Sequence, residues 1–122
     1  MKVEGADFAV VFVTDYPRAV EFYRDTLGLE RSADYGRIPG GEFETGNLTL
    51  VVLDAAAVGR EFAPSGSPIA LRVADVADAR AELEGAGVEF LGETIDSGVC
   101  HQAHFKDPDG NVLTLHHRYA PR

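Results

Sequence analysis

Cysteine, lysine and long hydrophobic runs are all scarce in this chain of 122 residues. Cys100 is the only cysteine, so no internal disulfide can form, and a reducing compartment is expected. The net charge is −9 and no basic run is present, which argues against a nucleic-acid partner. No apolar run approaches the roughly 18 residues that a membrane-spanning helix needs, and the N-terminus does not resemble a signal peptide. We therefore expect a cytoplasmic protein that binds neither nucleic acid nor membrane.

The overall composition is typical of a globular protein, with 45% hydrophobic and 25% charged residues. A chain of this length can bury one sizeable core but not two independent ones. We therefore predict a single domain over residues 1–122.

The chain repeats one pattern in its two halves. In the first half, a strand-like run at 8–13 is followed by Asp15, a good helix N-cap, then by apolar residues at helical spacing, and Gly28 ends the pattern. In the second half, a strand-like run at 69–73 is followed by an N-cap at Asp75 and a second helical stretch. This repetition is stronger evidence for a duplicated unit than any single element.

Three further strand-like runs follow each helix. They are residues 29–33, 41–45 and 48–53 in the first half, and 88–93, 98–105 and 112–119 in the second. A ferredoxin-like βαββαβ fold, the main alternative, has two strands between its helices and one after the second helix. We therefore predict two βαβββ modules, at about 5–54 and 68–119, joined by a connector at about 55–67.

Three segments resemble the vicinal-oxygen-chelate superfamily, also called the glyoxalase/bleomycin resistance/dioxygenase superfamily. They are FVTDYPRAVEFYRDTLGLE, LRVADVADARAELEGAGVEF and the hairpin FKDPDGNVLTL. The resemblance covers nearly the whole chain. It implies an α+β fold, in which two βαβββ modules form a curled mixed eight-stranded sheet around a cavity. It also implies a homodimer.

The resemblance further implies positions for a bound metal, and the residues at those positions are poor ligands. They correspond to Phe8, Pro68 and Thr114, with either Thr49 or Leu50 as the fourth. Divalent metals prefer imidazole, carboxylate or thiolate donors. We therefore expect that the usual metal site is missing and that no cofactor is bound.

The same resemblance implies which side chains line the cavity, since alternate residues of a strand share a face. The expected ligand-binding residues are Phe8, Val10, Phe12, Thr49, Arg72, His101, Thr114 and His116. Apolar walls with a few polar groups are typical of a site for a small organic molecule. Two alternatives stay open: the aromatic strand could be ordinary core, and Arg72 could pair with an acid at the sheet edge.

All four histidines lie near the C-terminus, at His101, His104, His116 and His117, close to Cys100. They could form an atypical metal site, or His101 and His116 could flank a ligand as proton donor and acceptor, or they could be structural or interface residues. Because Cys100 and His101 are neighbours on a strand, they point to opposite faces and do not form a catalytic pair.

Three functions are compatible with these observations. The first is metal-independent binding of a hydrophobic or aromatic small molecule, such as the sequestration of a drug or metabolite. The second is a lyase, isomerase or dioxygenase that uses His101 and His116 as acid and base or as an atypical metal site. The third is a protein that acts only through its dimer surface.

Overall fold

The computed structural model describes residues 1–122 as two compact units, Met1–Ala63 and Pro64–Arg122. Each unit has the element order strand, helix, then three strands, with four strands in one mixed sheet. The prediction of two βαβββ modules in an α+β fold is therefore confirmed. Eight strands are present, and each overlaps its predicted position, with ends that differ by at most three residues.

The sheet of the first unit has the order β1-β4-β3-β2, with β1 and β4 parallel and the other pairs antiparallel. Its elements are β1 (Phe8–Val13), α1 (Tyr16–Val20), a π-helical segment (Glu21–Thr26), β2 (Glu30–Asp34), β3 (Gly40–Glu44), β4 (Thr49–Asp54) and a 3₁₀ turn (Ala56–Val58). The parallel pair joins the first and last strands of the module, so the helical crossover lies between them in sequence.

The first helix begins as predicted and ends differently. Asp15 accepts a hydrogen bond from the backbone N–H of Arg18 at 3.1 Å, which is the expected N-cap contact. The second half is π-helical, because Leu27 N–H donates to the carbonyl of Phe22, five residues back, at 2.9 Å. Phe22 and the adjacent Tyr23 are both buried. The spacing of apolar residues predicts a helix here, but it does not specify which carbonyl each N–H contacts.

The second unit repeats the arrangement, with strand order β5-β8-β7-β6 and a parallel β5–β8 pair. Its elements are β5 (Ile69–Arg72), α2 (Val76–Gly85), β6 (Phe90–Asp96), β7 (Cys100–Lys106) and β8 (Val112–Arg118). Asp75 caps α2 by accepting from the backbone N–H of Asp78 at 2.8 Å. Neither unit contains a helix with the length and apolar character needed to cross a membrane.

Each sheet has a face covered by its helix and a face without one. In the first unit Tyr23 packs against Phe43 on the covered face, and α1 contacts β4. In the second unit α2 contacts β7 and β8, and its Arg80 lies over the ring of Phe90. The fully buried strand residues on the covered faces include Val13, Phe43, Leu50, Val52, Phe105 and Leu113. We call the opposite surface of each sheet its open face.

The β7–β8 hairpin is closed by the predicted Asp-Pro-Asp-Gly turn. Asp107 accepts hydrogen bonds from the backbone N–H of Asp109 and from the backbone and side-chain amides of Asn111, at 2.8–2.9 Å. Gly110 has a backbone φ of 87°, a value that residues other than glycine rarely adopt. The Asn111 side chain also accepts from the backbone N–H of Ser65, so the turn holds the start of the second unit in place.

Gly41 in β3 provides a test of this packing. A Cβ atom there would meet the Tyr16 hydroxyl and, at 2.6 Å, the carbonyl oxygen of Ala33. We expect Gly41→Ala to lower the free energy of unfolding by about 2 kcal/mol, because backbone cannot move aside cheaply. Gly66→Ala, where a Cβ has open space, should change it by less than about 0.5 kcal/mol. Urea denaturation measures both, and equal midpoints would contradict the prediction.

Candidate functional site

The open face of the first sheet begins with an apolar row on β1. Phe8 and Val10 are 60% and 40% exposed, and Phe12 is half-buried, whereas the intervening Val11 and Val13 are buried. Strand alternation places the first three residues on one face and the valines on the other. Phe8 and Val10 therefore do not belong to the buried core, which was the alternative interpretation of this strand.

The parallel register extends this row onto β4. Thr49 lies opposite Phe8, Val51 opposite Val10, and Leu53 opposite Phe12. Leu50, the alternative to Thr49 at the family metal position, is fully buried on the covered face. Thr49 is therefore the residue that shares a face with Phe8.

Two carboxylates of β3, Glu42 and Glu44, also lie on the open face, and both accept hydrogen bonds from uncharged hydroxyl groups. Glu44 accepts hydrogen bonds from the hydroxyls of Ser32 at 2.6 Å and Thr49 at 2.7 Å, and these bonds hold the pKa of Glu44 below its usual range. Tyr35 donates its hydroxyl to Glu42 at 2.7 Å. Burial, with a smaller effect of Glu42, raises the pKa of Tyr35 to about 12.

Arg60, just after the 3₁₀ turn, lies over one end of the apolar row. Its guanidinium carbon is 4.5 Å from the centre of the Phe12 ring. Such cation–π contacts contribute about 0.5–1 kcal/mol at exposed sites. This face therefore combines aromatic surface with both an acidic and a basic group, and sequence reasoning did not identify Glu42, Glu44 or Arg60 as part of it.

The open face of the second sheet is more polar. Thr114 lies opposite Ala70 on β5 and His104 on β7, it is only 3% exposed, and its hydroxyl is 2.7 Å from Nδ1 of His104. Arg72 lies opposite His116 in the neighbouring row. Neither of these two side chains forms a hydrogen bond or ion pair within the chain, so the suggested acidic partner of Arg72 is not found.

The structure does not bring His101 and His116 together. His101 lies opposite His117, whereas His116 lies opposite Gln102 one residue along. Because adjacent positions alternate faces, His101 is on the covered face and His116 on the open face. The expected pair that would flank one ligand on one face is therefore separated. His117 instead reaches the carbonyl of Val73, with its Nδ1 at 3.1 Å.

His101 belongs to a small polar cluster at the end of the covered face. Its Nε2 is 3.3 Å from a carboxylate oxygen of Asp96, and its ring centre is 4.7 Å from that of Tyr119. The Tyr119 hydroxyl donates to Asp96 at 2.7 Å, which lowers the pKa of Asp96 and raises that of Tyr119. These contacts tie the C-terminal segment to the β6–β7 hairpin.

The residues at the family metal positions do not fit a divalent ion. Phe8 lies opposite Thr49 in the first sheet. In the second, Thr114 lies opposite Ala70, while Pro68 immediately precedes β5. Neither pair contains an imidazole, carboxylate or thiolate. Nowhere in the chain do three or more His, Cys, Asp or Glu side chains lie close enough together to hold a metal ion.

Comparison with known proteins identifies the family. The sequence model of the Glyoxalase/Bleomycin resistance protein/Dioxygenase superfamily matches residues 5–115 of this chain. The chain belongs to this superfamily. The protein YraH of Bacillus subtilis (strain 168) is 29% identical in an alignment that covers 87% of this chain and 92% of YraH.

Two solved structures of the superfamily fold are similar over nearly the whole chain. A superfamily member from Sphaerobacter thermophilus DSM 20745 is 24% identical with a TM-score of 0.81, and the match covers 93% of this chain and 97% of that one. TnmS3, an antibiotic binding protein from Streptomyces sp. CB03234, is 27% identical with a TM-score of 0.78. That match covers 97% of this chain and 98% of TnmS3.

The hydrogen bonds to Glu44 generate a prediction for this superfamily member. Thr49→Val removes one donor, so the pKa of Glu44 should rise towards its usual value, and Ser32→Ala should raise it further because that bond has the larger effect. The folded-state pKa is depressed, so this contribution to stability is present above the unfolded pKa and is lost as pH falls through the folded one. Carboxyl-detected NMR titration measures the shifts, and an unchanged Glu44 pKa in both variants would contradict the assignment.

Proposed function

We propose that this protein binds a hydrophobic or aromatic small molecule without the help of a metal ion, with the open face of the first sheet as the apolar contact surface. The observation that carries the proposal is the exposed row formed by Phe8, Val10 and Phe12. Contiguous apolar surface of this kind marks interaction sites, because it is costly to leave in water. Polar groups at its edge, such as Thr49, would orient the ligand.

Membership of the superfamily and the similarity to TnmS3, an antibiotic binding protein, support this choice. The two chains are similar over almost their full lengths, and the present chain has non-ligating residues at the metal positions. Sequestration of a drug or metabolite is the mode of action that we propose. The homodimer and the cytoplasmic location stay predictions.

On the second sheet, the proposed ligand-binding residues are Arg72, Thr114 and His116, which share the open face. His101 is not part of this proposal, because it lies on the covered face and contacts Asp96. Of the three residues, only Arg72 and His116 have side chains without a partner in the chain, since Thr114 is bonded to His104. Thr114 would therefore act mainly by positioning the imidazole of His104.

The enzyme alternative loses its main support from this geometry. Acid–base catalysis needs both groups within hydrogen-bonding reach of one substrate, and His101 and His116 lie on opposite faces. No other observation favours turnover over binding. His116→Ala would separate the two functions, since a catalyst would lose turnover and keep affinity, whereas a binding protein would change in affinity alone.

The apolar row can be tested with 1-naphthalenemethanol, a neutral aromatic probe. We expect saturable binding, and Phe8→Ser should weaken it about fivefold because an aromatic contact is removed. Ile38→Ser is the matched control, since Ile38 is also exposed but lies outside the strands, and it should leave the affinity unchanged. Isothermal calorimetry measures both. An absence of saturable binding, or equal losses in the two variants, would contradict the proposal.

Metal independence has its own test. We expect protein purified without a histidine tag and soaked in Zn²⁺, Ni²⁺, Mn²⁺ or Fe²⁺ to retain no stoichiometric metal, because the family positions lack suitable donors. Elemental analysis after desalting measures the content, and EDTA should leave the affinity for 1-naphthalenemethanol unchanged. One metal ion per chain would show that the histidines build a site of their own and would favour the enzyme hypothesis.

A further inference from the structure

Arg72 differs from Arg80 and Arg118, the other arginines within the helix and strands of the second unit, in having no partner. Arg80 donates to the Thr94 hydroxyl at 3.1 Å and to the Gly92 carbonyl at 2.9 Å, and it stacks on an aromatic ring. Arg118 donates to the Pro121 carbonyl at 3.2 Å. Arg122 is the last residue and lies beyond the final strand. Arg72 is the one guanidinium that lies on a strand with all its donors free.

Arg72 begins a row of hydrogen-bond donors that crosses three strands. It lies opposite His116 on β8, and His116 lies opposite Gln102 on β7. No hydrogen bond or ion pair occupies any of these three side chains. Neighbouring strands are about 4.8 Å apart, so the donors lie within reach of one small ligand. We call these three residues, Arg72, His116 and Gln102, the donor row, because they share one face and their donors are free.

Acidic side chains are absent from the positions paired with the donor row. The row beside it consists of Ala70, Thr114 and His104. On β6, Glu93 lies in the irregular stretch of the strand and forms no ion pair with Arg72. Asp96 lies opposite His101 on the other face, where it contacts His101 and Tyr119. A chain with a net charge of −9 therefore has an uncompensated cation on this face.

The far end of the donor row is apolar. Gln102 lies opposite Ile95 on β6, and the Ile95 side chain is 45% exposed. Ala70, next to Arg72 on the same face, adds a second small apolar surface. A ligand with an anionic group at Arg72 would thus find hydrophobic contact for the rest of its body nearby.

We propose that the donor row binds the carboxylate of a small organic acid, with bidentate hydrogen bonds from Arg72 and flanking donors from His116 and Gln102. A planar guanidinium matches the two oxygens of a carboxylate, and such charge-assisted pairs are stronger than neutral hydrogen bonds. One fixed positive charge balances a carboxylate, whereas a phosphate dianion would need more. This inference rests on the proposed function in taking the ligand to be a small organic molecule, and it narrows that class to organic acids.

The test compares two probes that share one ring system, 1-naphthoate and 1-naphthalenemethanol. We expect the naphthoate to bind about tenfold more tightly, which is the usual effect of a hydrogen bond to a charged group. Arg72→Gln should remove this advantage, so that the two probes bind with similar affinity. Arg72→Lys should restore only part of it, because an ammonium lacks the planar pair of donors. Calorimetry on the full chain measures all six combinations of probe and protein.

Arg37→Gln is the control for net charge, since it removes the same charge from an exposed position outside the strands of the first unit. It should leave both affinities unchanged. NMR spectra should show 1-naphthoate shifting the side-chain signals of His116 and Gln102, which report direct contact with the donor row. If Arg37→Gln lowers the affinity for 1-naphthoate as much as Arg72→Gln does, the preference arises from long-range electrostatic attraction and the inference is overturned.

The outcomes separate this inference from the proposed function. If the alcohol binds saturably and the naphthoate has no advantage, the carboxylate site is wrong while aromatic binding stands. If only the naphthoate binds and Arg72→Gln abolishes it, the carboxylate site stands while binding of neutral aromatics is wrong. If Arg72→Gln keeps the preference, or if neither probe binds, the donor row is not a carboxylate site.

Discussion

The parallel pairing of the first and last strands of each module is the interaction on which the rest of the structure depends. In the first unit it aligns Phe8 with Thr49, and in the second it aligns Arg72 with His116. Parallel strands require a long crossover, and here the helix and two strands provide it. Because the crossover helix covers one face, the register of this pair decides which side chains are buried and which lie on the open face.

Two modules with the same topology carry different chemistry on their open faces. In the first, an exposed apolar row lies beside carboxylates that are already held by hydroxyl donors, so Glu44 has its negative charge stabilised locally. In the second, Arg72 has no such partner. The difference comes from a few side chains rather than from the backbone, which is why a superfamily fold alone does not specify an activity.

The site could be predicted only in part, and the histidines show why. The alternation of β8 places His116 with Thr114 and His117 on the opposite face, as expected from one strand. His101 lies on a different strand, and its face depends on the register between β7 and β8. A shift of one residue in that register reverses the face, and no local feature near His101 indicates it. The same reasoning applies to Thr49 and Leu50. As neighbours on β4 they lie on opposite faces, and only the register between β1 and β4 shows which of them shares a face with Phe8.

Features that depend on near neighbours along the chain can be predicted from the sequence. These are the N-caps at Asp15 and Asp75, the closing turn at Gly110, the strand positions and the non-ligating residues at the family metal positions. Other features become visible only in the folded chain: the π-helical hydrogen bond of Leu27, the placement of Arg60 over Phe12, the donors that hold Glu44 and the free guanidinium of Arg72. Capping and turn signals act over a few residues, whereas these contacts join strands and loops that are brought together only when the sheets form.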